Sequence, residues 1–262
     1  MTLRKCACID TLYTELPWLD RFQAAKDDGF ESVEFWDWRI RDLDATRKAA
    51  DSAGIAVSGF NGDADYSLID PSHKENYIGF LKQSIAAAKK LEAESVTIHS
   101  NALGEGGIVV DHYNGLSDTI KLCAMYDCLL ECVRLAAAEE ISLHLEALNI
   151  TTDHVGNFLK NTQMGAELCM LIGSPRLKLL YDVYHMQLNE GAICDTLAKY
   201  ASWIGHIHVA DAPGRHEPGT GEIQYKNVIS RLESLGYTGR IGYELFPVKD
   251  TMTAVKAIME NF

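Results

Sequence analysis

Three carboxylates and one imidazole occur near the ends of four short apolar segments in the second half of the chain. The segments read "SLHLEAL", "LKLLYDVYH", "GHIHVAD" and "GRIGYEL", and the four side chains, called the quartet below, are Glu146, Asp182, His208 and Glu244. Helix-like sequence separates each segment from the next, a spacing typical of βαβ units. In a parallel barrel the carboxyl ends of the strands converge on one face, so we expect the quartet to meet there. The sequence therefore predicts a metal site.

This donor set points to a particular chemistry. Three carboxylates and one imidazole suit Mg²⁺ or Mn²⁺, with Co²⁺ and Zn²⁺ as further candidates. A ketone and its neighbouring hydroxyl could chelate the ion, which would acidify the carbon-bound proton and stabilise a cis-enediolate. Glu146 and Glu244 would be the catalytic acid/base pair that moves the proton. Delivery to the neighbouring carbon gives isomerisation, delivery to the opposite face of the same carbon gives epimerisation, and the residues leave both open.

Other polar side chains near strand ends are candidates for supporting roles. Glu34, in "VEFW", and His99, in "VTIHSN", should lie at the barrel mouth, either as substrate-binding groups or as structural hydrogen-bonding groups. His144 and His206 each precede a quartet member by two residues and share its face, because strand side chains alternate. They should lie deeper, in structural or ligand-orienting roles.

The elements that would position these groups repeat along the chain as strand, helix and, in several cases, glycine. Glycines such as Gly54 and Gly173 suit helix C-termini. No G-x-G-x-x-G follows the first strand, so the repeat favours a closed (β/α)8 TIM barrel, an α/β fold, over a dinucleotide-binding sheet. We expect one domain over residues 1–262, with the loop 210–224 lying over the active face. The predicted strands cover residues 5–9, 32–36, 56–60, 95–100, 142–148, 177–182, 206–210 and 240–245.

Composition limits the partners and the compartment. Hydrophobic residues make up 47% and charged residues 23%, as in ordinary globular proteins. The formal net charge of −13, from 37 acidic and 24 basic residues, repels phosphate backbones and argues against a nucleic-acid partner. No apolar run reaches about 18 residues and no signal-peptide stretch opens the chain, so we expect a cytoplasmic protein without a membrane partner. The composition is compatible with a homo-oligomer.

Seven cysteines without a C-x-x-C pair indicate reduced thiols. Cys128 and Cys132 have helical i, i+4 spacing that could seat a soft metal, but the surrounding "YDCLLECVRLAAA" is an apolar helix face. We therefore expect core packing for them and for the other cysteines, which are Cys6, Cys8, Cys123, Cys169 and Cys194.

Four motifs around the quartet resemble those of the xylose isomerase-like TIM-barrel superfamily, and most closely its hydroxypyruvate isomerase branch. They read "LEALN", "YDVYHMQLNEG", "GHIHVADAPGRHEPGTGEI" and "GYELFP". The likeness covers the second half of the chain. The first half matches only in its alternation of strands and helices and in short segments such as "GFESVEFW". It implies an isomerase whose quartet holds one divalent ion. By the same likeness His185 would contact a substrate oxygen, and Arg215 would bind the substrate's hydroxyl or carboxylate end.

The leading functional interpretation is metal-assisted isomerisation of a small hydroxy-carbonyl compound such as hydroxypyruvate. A histidine at position 208 is similar to the ketose 3-epimerases, which supports a second interpretation, epimerisation or isomerisation of a free ketose. A remote alternative is abasic-site DNA endonuclease, which shares the superfamily fold. That class needs several zinc ions and a basic DNA-binding face, which a net charge of −13 disfavours.

Overall fold

Eight parallel strands close into a barrel in chain order in the computed structural model, which describes residues 3–262. The fold class predicted from the sequence is confirmed, and all eight predicted strands are present with ends that differ by a few residues. The predicted domain range 1–262 includes Met1 and Thr2, which lie outside the described residues. The strands are β1 (Arg4–Cys8), β2 (Ser32–Phe35), β3 (Ala56–Asn61), β4 (Ser95–Ile98), β5 (Ser142–Glu146), β6 (Leu177–Asp182), β7 (Ile204–His208) and β8 (Arg240–Tyr243).

Helices surround this barrel, and an additional short helix follows β6 directly. None of the helices in residues 3–262 is long and apolar enough to cross a membrane. The helices are α1 (Asp20–Asp27), α2 (Leu43–Ala53), α3 (Lys74–Leu91), α4 (Asp118–Ala138), α5 (Thr162–Ile172), α6 (Val183–Asn189), α7 (Ile193–Tyr200), α8 (Tyr225–Ser234) and α9 (Thr251–Asn261).

Local sequence explains where several helices begin and end. The Asp42 carboxylate accepts hydrogen bonds from the backbone N–H groups of Asp44 and Ala45 and so caps the start of α2. Gly54 ends that helix at φ 64° and Gly173 ends α5 at φ 66°, both in the left-handed region that glycine adopts without steric cost. The helix ends predicted at these two glycines are confirmed.

Strand register brings the quartet to the carboxyl-terminal end of the barrel. Asp182 on β6 is paired with His208 on β7, and His208 is paired with Gly242 on β8. Because side chains alternate along a strand, Glu244, two residues beyond Gly242, shares its face and lies one layer closer to the mouth. The apolar residues that alternate with the inward-facing positions of each strand point outward to the helices. Ile207, between His206 and His208, is one of them and is fully buried.

The cysteine prediction is correct for five side chains, which are buried, and wrong for Cys123, which is exposed; Cys194 is only partly buried. Cys128 and Cys132 lie on the core face of α4. A separation of five residues turns Cys123 about 140° away from Cys128 around the helix axis, toward solvent. The apolar segment therefore contains one face that the core does not cover.

Candidate metal and substrate site

The quartet lies at the carboxyl ends of four consecutive strands. Glu146, Asp182 and His208 are the last residues of β5, β6 and β7, and Glu244 follows β8. All four are buried, with no more than 8% of any residue exposed. The structure thus brings the four predicted ligands together. Each of them is anchored through one atom, and in Glu146, Asp182 and His208 the second atom is buried without a hydrogen-bond partner.

Asp182 and Glu146 illustrate this arrangement. Asp182 caps helix α6, because its Oδ1 accepts hydrogen bonds from the backbone N–H groups of Tyr184 at 2.7 Å and His185 at 3.2 Å. Glu146 Oε2 lies 3.1 Å from His99 Nε2. The second oxygens, Asp182 Oδ2 and Glu146 Oε1, are buried and have no hydrogen-bond partner. Each carboxylate is therefore oriented through one oxygen and leaves the other free for a cation.

The other two members are oriented in the same way. His208 Nε2 lies 3.1 Å from Glu34 Oε1, a carboxylate contact that favours a proton on Nε2. Burial lowers the pKa of His208, but Glu34 and Glu244 outweigh burial and raise that pKa, so Nδ1 also carries a proton until a cation displaces it. His208 Nδ1 has no hydrogen-bond partner and lies 3.4 Å from Glu244 Oε2 and 4.0 Å from Glu146 Oε1. Glu244 Oε1 accepts a hydrogen bond from the indole of Trp36.

These atoms fit the divalent ion that the family resemblance implies. The donor atoms of Asp182, His208 and Glu244 lie within 4.8 Å of one another, and those of Glu146 and Asp182 lie within the same distance. A buried polar atom without a hydrogen-bond partner lowers the free energy of unfolding by about 1–3 kcal/mol. The quartet contains three such atoms, Glu146 Oε1, Asp182 Oδ2 and His208 Nδ1, around one point. An ion at that point would pair all of them, and an oxygen-rich donor set suits a hard cation.

Arg215 supplies one positive charge beside the quartet. Its Nη2 contacts Glu244 Oε2 directly and lies 3.7 Å from Asp182 Oδ2. Burial alone would raise the pKa of Glu244, but Arg215 and His208 outweigh burial and keep that pKa low. For Asp182 burial prevails and raises the pKa to about 7, although Arg215 opposes the shift. Arg215 therefore helps to lower the pKa of Glu244 but does not offset the burial of Asp182.

His99 holds Glu146 from the side of β4. Its Nδ1 lies 2.9 Å from Asp63 Oδ1 and its Nε2 contacts Glu146. Burial lowers the pKa of His99, but Asp63 and Glu146 outweigh burial and raise it to about 10, so the ring is an imidazolium between two carboxylates. Both ring nitrogens are thereby occupied. Asp63, in the loop after β3, was missed by the sequence reasoning.

Glu34 lies deeper than the mouth position expected from the sequence. It sits behind His208 and also lies 2.9 Å from His206 Nε2, so the two histidines of β7 share one carboxylate. Trp36, two residues further along, takes the mouth position instead and lines the cavity. Gly242 provides the room for this contact, because a Cβ there would overlap Glu34 Oε1 and approach His208 Cδ2 to 2.7 Å.

A cavity of about 970 Å³ opens above the quartet. The loops that follow the strands form its wall, as the barrel fold predicts. Aromatic side chains such as Trp38 and Phe246 contribute apolar surface to it. Five of the eight predicted site residues line this cavity: His99, Glu146, His185, Arg215 and Glu244.

Comparison with known proteins identifies the family. A sequence model described as "Xylose isomerase-like TIM barrel" matches residues 22–261. A Cupriavidus necator protein named "2-oxo-tetronate isomerase" is 30% identical over 253 residues, covering 93% of each chain. The chain belongs to the xylose isomerase-like TIM-barrel family. An Escherichia coli member named "Hydroxypyruvate isomerase" is 31% identical over 268 residues and 97% of each chain, so the isomerase class predicted from the sequence is confirmed.

Among solved structures, the chain is similar to one titled AP endonuclease, family 2, from Brucella melitensis. The TM-score is 0.89 with 22% identity, over 99% of each chain. At this identity the likeness concerns the xylose isomerase-like fold alone.

In this xylose isomerase-like barrel the loop that carries Arg215 is organised by Asp211. Asp211 is fully buried, and its Oδ1 accepts hydrogen bonds from the backbone N–H groups of Ala212 at 2.9 Å and Ile223 at 3.0 Å. Its Oδ2 accepts another from Gly219 N at 2.8 Å. One carboxylate thus ties three points of the loop together. The sequence reasoning missed this residue because its partners are backbone groups.

The substitution Asp211→Ala is expected to lower the free energy of unfolding by about 2–3 kcal/mol, because three N–H groups lose a charged acceptor and two of them are buried. Urea titration of both proteins measures the difference. Asp42→Ala, which removes two exposed hydrogen bonds at the start of α2, is the matched control. A loss no larger than that of the control would contradict the role of Asp211.

Proposed function

We propose that the protein is a divalent-metal-dependent isomerase of small hydroxy-keto acids, with hydroxypyruvate and 2-oxo-tetronate as the first compounds to test. The names of the two bacterial relatives support this substrate class. The observation that carries the proposal is the arrangement of the quartet, in which four buried ligand candidates are each anchored through one atom and three of them have a second, buried atom without a hydrogen-bond partner. The glutamates of the quartet also line the cavity.

The quartet would hold Mg²⁺ or Mn²⁺. A bound divalent ion stabilises the negative charge that develops on two neighbouring substrate oxygens. Glu146 and Glu244 would transfer the proton between the carbons that bear those oxygens. Their inward oxygens lie 4.0 Å and 3.4 Å from His208 Nδ1 and so border the same space. Glu34 would act on the ligand set through His208 as an orienting carboxylate, the structural alternative to the substrate contact that the sequence also allowed.

Arg215 is the candidate for binding the substrate carboxylate. Its guanidinium lines the cavity, and its Nε is buried without a hydrogen-bond partner. A planar guanidinium can bind a carboxylate through two parallel hydrogen bonds. On a chain with a net charge of −13, an anionic substrate needs such a local cation.

Epimerisation of a free ketose is the second candidate. Asp153 supports it, because this side chain lines the same cavity as Glu146 and offers a carboxylate to a sugar hydroxyl. Its Oδ2 is held by Asn149 Nδ2 at 2.7 Å. A second acidic group near the quartet suits a neutral sugar better than an anionic acid.

Isomerisation is tested by incubating hydroxypyruvate, 2-oxo-tetronate and a free hexulose separately with Mg²⁺-loaded protein in ²H₂O and following each by NMR. We expect the carbonyl of an acid to move to the neighbouring carbon, which gives an aldehyde from hydroxypyruvate and a second ketone from 2-oxo-tetronate, with ²H entering the carbon beside the carbonyl. Turnover of the hexulose alone would favour the second candidate. Turnover without ²H uptake would contradict the acid/base role of the glutamates, and no turnover of any compound would contradict the proposed function.

A further inference from the structure

Two neighbouring histidines form part of the cavity wall. The rings of His154 and His185 have their centroids 5.1 Å apart and their planes at 75°. Both side chains line the cavity, His185 is fully buried and His154 is 6% exposed. The sequence reasoning assigned no role to His154. The partners of the two rings show which nitrogen carries the proton in each.

Asn149 determines the tautomer of His185. Asn149 is fully buried, and its Oδ1 accepts hydrogen bonds from the backbone N–H groups of Thr152 and Asp153, both at 3.1 Å, which orients the amide. Its Nδ2 then lies 2.7 Å from His185 Nδ1. An NH₂ group only donates, so Nδ1 accepts and the ring proton lies on Nε2. His185 Nε2 lies 3.4 Å from Asp182 Oδ2 and 3.5 Å from Arg215 Nη2. The much shorter Asn149 contact at Nδ1 outweighs the long arginine contact, so the Nε2 proton faces the quartet.

His154 has the opposite tautomer. Its Nδ1 lies 2.7 Å from the backbone oxygen of Gly107, and because a carbonyl oxygen only accepts, Nδ1 carries the proton. Burial, with a contribution from Arg215, lowers the pKa of His154, so the ring is neutral. Its Nε2 is therefore an acceptor, and this atom is buried without a hydrogen-bond partner. Gly107 has φ 77°, and a Cβ there would approach His154 Cε1 to 2.7 Å.

The two rings thus present complementary groups to the cavity, a donor beside the quartet and an acceptor one ring further away. Oxygens on the two reacting carbons of a substrate would lie at the quartet, within reach of His185. A hydroxyl on a carbon beyond them would lie toward His154. We propose that His154 Nε2 accepts a hydrogen bond from this distal hydroxyl, so that the site selects hydroxy-keto acids of four or more carbons. This inference rests on the proposed isomerase function.

A pair of substrates tests the inference directly. 3,4-Dihydroxy-2-oxobutanoate and its 4-deoxy analogue have the same reacting carbons and differ in the distal hydroxyl. An acceptor left unpaired in a buried site costs about tenfold to hundredfold, so we expect the unmodified protein to prefer the hydroxylated acid by that factor in kcat/KM. In His154→Phe the preference should disappear while kcat/KM for the deoxy analogue is retained. His154→Gln, which keeps an acceptor oxygen, should restore part of the preference.

Equal losses with both substrates in His154→Phe would show a structural role and overturn the inference. Calorimetric dissociation constants of both acids with the Mg²⁺-loaded Glu146→Gln variant, in which turnover is expected to be slow, separate this outcome from failure of the proposed function. If the unmodified protein converts neither acid, the proposed function fails, and the calorimetric ratio still decides the role of His154. Equal dissociation constants for the two acids in Glu146→Gln overturn the inference in either case.

The tautomers have a spectroscopic test of their own. In long-range ¹H–¹⁵N spectra of protein labelled at histidine, we expect a protonated Nδ1 for His154 and a protonated Nε2 for His185. Asn149→Ala should give a tautomer mixture for His185 and leave His154 unchanged, as expected of a positioning residue. A protonated Nε2 on His154 in the unmodified protein would overturn the acceptor assignment.

Discussion

Replacement of Glu146 or Glu244 by glutamine is expected to lower kcat by about 10²–10⁴-fold, the usual contribution of a positioned acid or base. Glutamine keeps the volume of the side chain and one ligand oxygen but cannot accept the substrate proton. Each residue retains its anchoring partner in the variant, His99 for position 146 and Trp36 for position 244. The fold should therefore persist, as thermal unfolding of each variant will show, while steady-state turnover falls.

Glu105 provides the matched control for both variants. It lines the same cavity but is exposed, so Glu105→Gln removes a carboxylate from the mouth without touching the quartet. Its turnover should equal that of the unmodified protein. Two groups that act on one proton function as a unit, so the kcat of the double variant should be little lower than that of the less active single variant. Full activity in both single variants would remove the glutamates from the mechanism.

Chelation of divalent ions is expected to abolish turnover, and added Mg²⁺ or Mn²⁺ to restore it. An ion that binds only the folded protein also stabilises it, by about 2.7 kcal/mol at a free concentration of one hundred times Kd, so the Tm should rise on metal addition. Asp182→Asn should lose most of this rise. Burial raises the pKa of Asp182 to about 7. Protons therefore compete with the ion below that pH, and ion affinity should increase as the pH rises through it.

The control for the metal experiment is Asp153→Asn. Asp153 lines the cavity but belongs to none of the clusters of side chains that could hold an ion, so this variant should keep the full increase in Tm. Differential scanning calorimetry at several Mg²⁺ concentrations gives Kd for each protein. Activity that survives exhaustive chelation would rule out the metal-dependent mechanism, and an unchanged Kd in Asp182→Asn would remove that residue from the ligand set.

The barrel and its quartet could be predicted because both depend on regular spacing. Each strand is a short apolar segment followed by a helical segment. This alternation predicts parallel βα units and does not depend on the sequence of the loops. Glu146, Asp182 and His208 each end such a segment, so closure of the barrel is enough to bring them together. The prediction needed strand order and direction but no atomic detail.

The supporting residues could not be predicted in this way, because their roles arise from contacts between loops and between layers of the barrel. Glu34 has the spacing of a mouth residue, yet Trp36 takes that position and leaves Glu34 one layer deeper. Asn149 and Asp211 act on backbone N–H groups that only the folded loops bring within reach. His154 depends on a carbonyl 47 residues away, at Gly107. Contacts of this kind leave no repeating pattern in the sequence from which they could be predicted.

Gly242 has a consequence for how this chain can change over evolutionary time. It bears no functional group, and its importance lies in an unfilled volume beside Glu34 and His208. Even a mutation to alanine would push the Glu34 carboxylate away from the His208 imidazole. A change of one methyl group on β8 would thus disturb the ligand set through a residue on β2, although neither position touches the substrate cavity.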